Sequence, residues 1–184
     1  MFGMRQHIRD VFDITNTDKG YFHEYEHMYA GLFANFTPKS LLEIGVKNGR
    51  SIRAWQMLFP NASITGLDIE RQQLEPGKDF EYIIANSTEH SAVKDLPNYD
   101  VIIEDGSHHV YDQILTFTNF KNKFNYYYVI EDVSYARDNH PGSEHSIKVL
   151  KSCIKKCGYR GIAVYDSYNK KNPSVSIVIQ SNTF

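Results

Sequence analysis

From Ser40 onward, short runs rich in β-branched and aromatic residues alternate with helix-length segments. This alternation limits the fold more than any other feature of the chain. Strand-length runs fall at Ser40–Ile44, Ser63–Asp68, Glu81–Ala85, Tyr99–Asp105, Tyr126–Glu131, Gly161–Asp166 and Ser174–Gln180. Between them, Arg50–Leu58 is amphipathic, Tyr111–Lys121 places Ile114, Phe117 and Phe120 near one face, and His145–Cys157 does the same with Ile147, Leu150 and Ile154. Pro60-Asn61 and Pro97-Asn98 punctuate the approach to two strands. Strand–helix–strand alternation predicts an α/β fold, a mainly parallel sheet with helices on both faces. The link around Asn169–Pro173 is too short for a helical crossover, so the last strand is expected antiparallel to its predecessor. Before Ser40 the pattern predicts helices over His7–Asp13 and His23–Phe33, with Thr17-Asp18 supplying N-cap chemistry for the second. No repeat or long linker interrupts this order. The expectation is one domain, made of a helical lead-in (residues 1–39) and an α/β portion (residues 40–184).

Composition narrows the function classes. A net charge of −2 lacks the basic excess of a dedicated nucleic-acid binder. No apolar run approaches the roughly 18 residues of a membrane span. The N-terminal Met-Phe-Gly-Met-Arg-Gln-His has no apolar core of a secretory signal. Cys153 and Cys157, four apart in an expected helix, read as free thiols in a reducing, cytoplasmic setting.

Two segments carry chemistry. In Leu41-Leu42-Glu43-Ile44-Gly45-Val46-Lys47-Asn48-Gly49-Arg50-Ser51, a strand runs through a tight turn into a helix. Glycines there let the backbone approach a ligand closely. The dinucleotide pattern G-x-G-x-x-G fails, because Lys47 and Arg50 stand where glycines are needed. What remains is E-x-G-x-x-x-G, followed by Asp68 at the end of the next strand, where an acid can accept both hydroxyls of a ribose. The alternative is ordinary turn glycines and a strand-end Asp.

The second segment is Tyr99-Asp100-Val101-Ile102-Ile103-Glu104-Asp105-Gly106-Ser107-His108-His109. The run Tyr126-Tyr127-Tyr128-Val129-Ile130-Glu131-Asp132 repeats its theme of an apolar strand ending in acids. Right-handed crossover through the intervening helix puts both carboxyl ends on one edge of the sheet, the edge where open α/β sheets bind ligands. Asp105, Glu131 and Asp132 then converge. Like charges at one site are costly unless a cation joins them, and an all-oxygen set selects Mg²⁺, Mn²⁺ or Ca²⁺ over Zn²⁺. His108 would be a base beside that metal. The alternative is that these acids merely cap helices.

At these residues the chain resembles a known family. E-I-G-V-x-x-G-x-S (from Glu43), G-L-D-I (from Gly66), D-V-I-I-E-D-G-S-H-H-x-x-D-Q-I-x-T-F (from Asp100) and Y-V-I-E-D-V (from Tyr128) resemble the metal-dependent, S-adenosylmethionine-using O-methyltransferases. These include the macrocin and mycinamicin type of sugar O-methyltransferase and the related cephalosporin hydroxylase-like proteins. Thr17 to Tyr25, T-D-K-G-x-x-H-x-Y, is similar to their lead-in segment. The resemblance implies a single class I methyltransferase domain with a Rossmann-like sheet and an antiparallel last strand. It implies that Glu43, Gly45, Gly49 and Ser51 surround the methionine part of S-adenosylmethionine, that Asp68 holds its ribose, and that Asn86 and Ser87 lie near its adenine. Lys19 and Tyr25 would close over the cofactor. Asp105, Glu131 and Asp132 would carry Mg²⁺ or Mn²⁺, with Asp105 also beside the cofactor, and His108 would be the general base. The acceptor it implies is a hydroxyl of a sugar-containing small molecule or glycan, with no nucleic acid, and homo-oligomerisation is left open. The chain departs from the family where Lys123-Phe124-Asn125-Tyr126-Tyr127 replaces the usual Pro-Gly-Gly turn before the second acidic strand.

Two rival readings remain. His23-Glu24-Tyr25-Glu26-His27 matches H-E-x-x-H, the zinc-hydrolase signature of two imidazoles one helical turn apart. Its extended form fails at Ala30 and Phe33. The other rival is a non-catalytic nucleotide-binding module on the same sheet. Trp55 reads as packing, His140 as an exposed loop residue, and Lys170-Lys171 as a solvated turn.

Overall fold

The computed structural model describes residues 2–75, 79–133, 142–167, 171 and 173–183. Strands β1 (Ser40–Ile44), β2 (Ser63–Asp68), β3 (Glu81–Ile84), β4 (Tyr99–Glu104), β5 (Phe124–Ile130), β6 (Ile162–Asp166) and β7 (Val175–Gln180) form one sheet in the order β3-β2-β1-β4-β5-β7-β6. β1 to β5 are parallel, and β7 runs antiparallel to both β5 and β6. The helices are α1 (Phe2–Thr15), α2 (Asp18–Tyr21), α3 (Glu26–Leu32), α4 (Arg50–Leu58), α5 (His90–Val93), α6 (Val110–Phe120) and α7 (Gly142–Lys156). The α/β architecture expected from the alternation is the one observed. His140, and residues 168–170 and 172 of the link between β6 and β7, lie outside the described residues.

Alternation along each strand divides the core in two. Leu41, Val101, Ile103 and Val129 face a layer made by α1, α3 and α4, into which Phe12, Tyr29 and Trp55 are packed. Leu42, Ile44, Ile102, Tyr128 and Ile130 face α6 and α7, through Phe117, Phe120, Leu150 and Ile154. This is the period-2 logic of a sheet covered on both faces.

The N-terminal portion differs from its expectation. The helix predicted over His23–Phe33 starts at Glu26, and a separate short helix, α2, precedes it. Glu24 sits at φ 56°, a left-handed conformation that a continuous helix does not accept. Thr17 precedes α2, but its side chain makes no capping hydrogen bond. The one-turn α5 had no sequence signal. β5 begins at Phe124, earlier than expected, because Phe124 pairs with Tyr99 and the Tyr99 N–H donates to the Lys123 carbonyl at 2.8 Å.

Trp55 anchors the first layer. Its ring meets Phe12 edge-on at 5.7 Å and Tyr29 at 4.9 Å, and its indole nitrogen is buried without a hydrogen-bond partner among the described residues, so apolar packing seats it. Trp55→Ala is therefore expected to cost about 3–5 kcal/mol, read as a lowered urea midpoint with an unchanged m value.

Candidate active site

The chain runs outward through β1, β2 and β3, then returns to place β4 on the other side of β1. Such a reversal opens a crevice at the carboxyl ends of the two central strands. The turns there are drawn together by the sheet itself, since the Asp105 N–H donates to the Ile44 carbonyl at 2.8 Å and the Gly45 N–H to Leu67 at 2.8 Å. Gly45 has φ 95°, and a Cβ at this position would stand 2.1 Å from the Asp105 carbonyl oxygen, so only glycine fits. Gly49, at φ 79°, is the residue before α4.

A cavity of about 850 Å³ occupies the crevice. Gly45, Ser51, Asp68, Asn86, Ser87, Asp105, His108 and Asp132 all line it. Asp68 Oδ2 accepts the backbone N–H groups of Val46 (2.8 Å) and Lys47 (3.3 Å), which ties the end of β2 to the glycine turn. Asn86 Oδ1 accepts from the Thr88 N–H and hydroxyl, and Ser87 Oγ lies 3.0 Å from Thr116 Oγ1.

The other residues singled out by the resemblance do not line the cavity. Lys19, Glu43 and Glu131 form a buried layer next to it. Lys19, 1% exposed, places its ammonium 2.6 Å from Asp105 Oδ2 and 3.3 Å from Glu43 Oε1, and in contact with Glu131 Oε2. Glu43 accepts from Ser51 Oγ at 2.8 Å, and Glu131 accepts from the Tyr29 hydroxyl. Burial works against the Lys19 charge, yet Asp105, Glu131 and Glu43 hold its pKa well above the usual lysine range. Burial likewise opposes ionisation of Asp105, but Lys19 and then His108 keep this carboxyl well below the usual range. Burial pushes Glu43 up to about 7 and raises Glu131 as well. One ammonium thus faces one firmly ionised carboxylate, with two further acids that burial inclines toward the neutral form.

Against the expectation of Asp105, Glu131 and Asp132, the compact group among the described residues is Asp105, His108 and Asp132, whose ligand atoms all lie within 4.8 Å of one another. Glu131 is directed to Lys19 and Tyr29 instead. His108 Nε2 is 3.0 Å from Asp105 Oδ1 and 3.7 Å from Asp132 Oδ2. His108 and Asp132 sit at φ 60° and 49°. Left-handed backbone at two non-glycine residues persists only where the surroundings over-determine it, as at functional sites. The surroundings here are specific. Tyr25 donates to Asp132 Oδ1 at 2.6 Å, Ser174 donates to the same oxygen, and the buried Gln113 amide donates to the Glu131 carbonyl at 3.0 Å.

The H-E-x-x-H spacing is not a paired-imidazole site. His23 precedes α3, lines the cavity and faces Asp132, whereas His27 lies on α3, with Nε2 3.8 Å from Glu26. The left-handed Glu24 between them removes the helical register the motif needs.

Several residues at the site escaped the sequence reading. Ser174 and Tyr29 carry no local signal, since each reaches the acids from a distant element. Glu104 had one: an acid directly before Asp105 inside an apolar strand. It is 1% exposed, lines the cavity, and Oε1 accepts the Gly106 N–H at 3.3 Å, while Oε2 is buried without a hydrogen-bond partner among the described residues.

No family model matches the sequence, and no curated protein matches it. Solved structures do. The MycE methyltransferase from the mycinamycin biosynthetic pathway, in complex with Mg and SAH, aligns with a TM-score of 0.72 at 23% identity, over 96% of this chain and 55% of that one. The plantazolicin methyltransferase BpumL, in complex with SAH, aligns with a TM-score of 0.60 at 13% identity, over 95% of this chain and 84% of that one. The O-methyltransferase TomG from Streptomyces achromogenes, in complex with SAM, aligns with a TM-score of 0.58 at 11% identity, over 96% and 88%. This chain has the Rossmann-like methyltransferase fold. It spans about half the length of the MycE chains it matches. Among the described residues, no helix is long and apolar enough to cross a membrane.

Burial pushes Glu104 up from an ordinary 4.5 to about 8. The folded protein therefore keeps a proton that the unfolded chain releases, and this contribution to stability is lost as pH rises between those two values. Urea midpoints of the wild type should fall across that window. Glu104→Gln, with no proton to release and an amide oxygen still able to accept from Gly106, should make the fall shallower, leaving the slopes from the other raised acids, Glu43 and Glu131.

Proposed function

We propose that this protein is an S-adenosylmethionine-dependent O-methyltransferase that requires Mg²⁺ or Mn²⁺ and acts on a hydroxyl of a sugar, a glycosylated small molecule or a glycan. The observation that carries this reading is the shared crevice, where the Gly45 turn and the Asp105–His108–Asp132 group meet at the carboxyl ends of adjacent strands. Solved structures of the same fold give support, since MycE is described with Mg and SAH, and in another crystal with mycinamycin VI as well.

The residues fit both groups. A volume of about 850 Å³ is within the range of small-molecule sites, and Gly45 removes the side chain that would close the approach to its turn. The two carboxylates of the compact group, Asp105 and Asp132, with the His108 imidazole beside them, suit a hard divalent cation. S-adenosylmethionine would supply a methyl group on a cationic sulfur, and the cation would lower the pKa of an acceptor hydroxyl.

The chain's own residues then have separable tasks. The turn from Gly45 to Gly49 and Ser51 would receive the methionine portion, and Asp68 the ribose hydroxyls. Asn86 and Ser87 would border the adenine. Asp105 and Asp132 would hold the cation, while Lys19, Glu43 and Glu131 support the rim from behind, and Tyr25 fixes Asp132. His108 would accept the hydroxyl proton. Partial burial lowers the basicity of this imidazole, but the hydrogen bond and charge of Asp105 outweigh it, so its pKa is raised above the usual value. Displacement at a methyl carbon gains most from alignment of nucleophile, methyl and leaving group, and a rigid rim provides it.

Calorimetric titration with SAH should show stoichiometric binding. Methyl transfer to a panel of deoxysugar and glycan acceptors should be abolished by chelator and restored by Mg²⁺. His108→Ala should lower turnover by about 10²-fold or more with SAH affinity unchanged. Full activity in excess chelator would remove the cation from the reaction, and wild-type turnover in His108→Ala would remove the base.

A further inference from the structure

His23 is the part of the H-E-x-x-H match that reaches the crevice, and the proposed reaction gives it no task. We propose that His23 is a positioning residue for Asp132, holding that carboxylate in the orientation in which it binds the divalent cation. This inference rests on the cation-dependent reading above.

Asp132 needs such support. Its backbone is left-handed at φ 49°, and its two oxygens have different surroundings. Oδ1 is held by the Tyr25 and Ser174 hydroxyls. Oδ2 is flanked by two imidazoles, His108 Nε2 at 3.7 Å and His23 Nε2 at 3.6 Å. His108 is also tied to Asp105 at 3.0 Å, so it is shared between the two acids. His23 has Asp132 as its closest carboxylate among the described residues.

The His23 ring is itself fixed. It stacks on Tyr25 at 5.0 Å and 11°, and Phe22 meets it edge-on at 4.8 Å. The His23 N–H donates to the Asp18 carbonyl at 3.0 Å, and its own carbonyl accepts from Ser167 Oγ at 2.7 Å. The residue is 6% exposed. Nδ1 is buried with no hydrogen-bond partner among the described residues, and Nε2 is the nitrogen turned to Asp132, where a ring N–H meets a carboxylate. At 3.6 Å the contact is longer than a direct hydrogen bond, so its pull on Oδ2 is that of an N–H dipole on a carboxylate.

The H-x-Y spacing follows from this. Glu24 at φ 56° turns the chain so that residues 23 and 25 both face inward. Tyr25 then does two things at once: its ring carries His23, and its hydroxyl holds Oδ1. Outer partners of this kind orient the ligand of a metal, and their loss typically weakens binding 10- to 100-fold.

The test uses the full chain and Mn²⁺ alone as the probe, with free Mn²⁺ counted by electron paramagnetic resonance. His23→Phe keeps the stacking and removes both nitrogens. His23→Gln keeps a donor at similar reach. Mn²⁺ affinity should fall about tenfold or more in His23→Phe and return to within about threefold of wild type in His23→Gln, with His27→Phe unchanged. Thermal melting checks that each variant is folded, and His23→Leu replaces His23→Phe if the larger ring is not accommodated. Wild-type affinity in His23→Phe would overturn the role of His23 and leave the cation reading standing. Equal losses in His23→Phe and His23→Gln would overturn it too, showing packing alone. Absence of Mn²⁺ binding by the wild type would overturn both.

Discussion

A single buried ammonium joins the two halves of this molecule. Lys19 leaves a four-residue helix and ends among Glu43, Asp105 and Glu131, which stand at the ends of three different strands. Charges removed from water are costly alone and tolerable only when paired and hydrogen-bonded. That cost makes the arrangement specific. The acids need a cation from the N-terminal portion, and Lys19 can be buried only where those acids converge. Tyr29 and Ser51 satisfy further carboxylate oxygens, so the network locks the lead-in helices against the carboxyl-end edge of the sheet.

This network also sorts the acids by task. Glu43 and Glu131 lie on the face of the sheet covered by α1, α3 and α4, where Lys19 meets them. Glu104 lies on the opposite face, toward α6. Asp105 and Asp132 follow the last strand residues, where the backbone leaves the sheet, and their carboxylates turn toward the cavity. Asp105 belongs to both systems, with Oδ2 on Lys19 and Oδ1 on His108. A change in the charge of the buried layer is thereby felt at the rim through one carboxyl group, without any moving part.

The scaffold was legible because its signals are local and repeated. Each strand is a short apolar run, and the longer helices of the α/β portion, α4, α6 and α7, show apolar periodicity. β1, β2 and α4 have the expected bounds. The crevice was legible for the same reason: Gly45 and Asp105 each close a strand, and parallel strands joined by right-handed crossovers end on one edge. The N-terminal portion was less legible. Apolar residues from Met28 to Phe33 do follow a helix, but the break at Glu24 reflects the pull of Tyr25 and His23 toward Asp132, more than 100 residues away in the chain. Propensity has no access to such a contact.

The sequence by itself determined the parallel α/β scaffold, the glycine turn beside the crevice, and the set of acids delivered to one edge, since strand periodicity and crossover handedness are properties of short segments. Only the tertiary structure decided which acids face the cavity and which face Lys19, that His108 joins Asp105 and Asp132 in the compact group, and that His23 faces Asp132 while His27 does not. Those outcomes depend on a buried charge finding its partners across the fold, and the cost of leaving any of them unpaired is set by burial, which no residue carries in its own name.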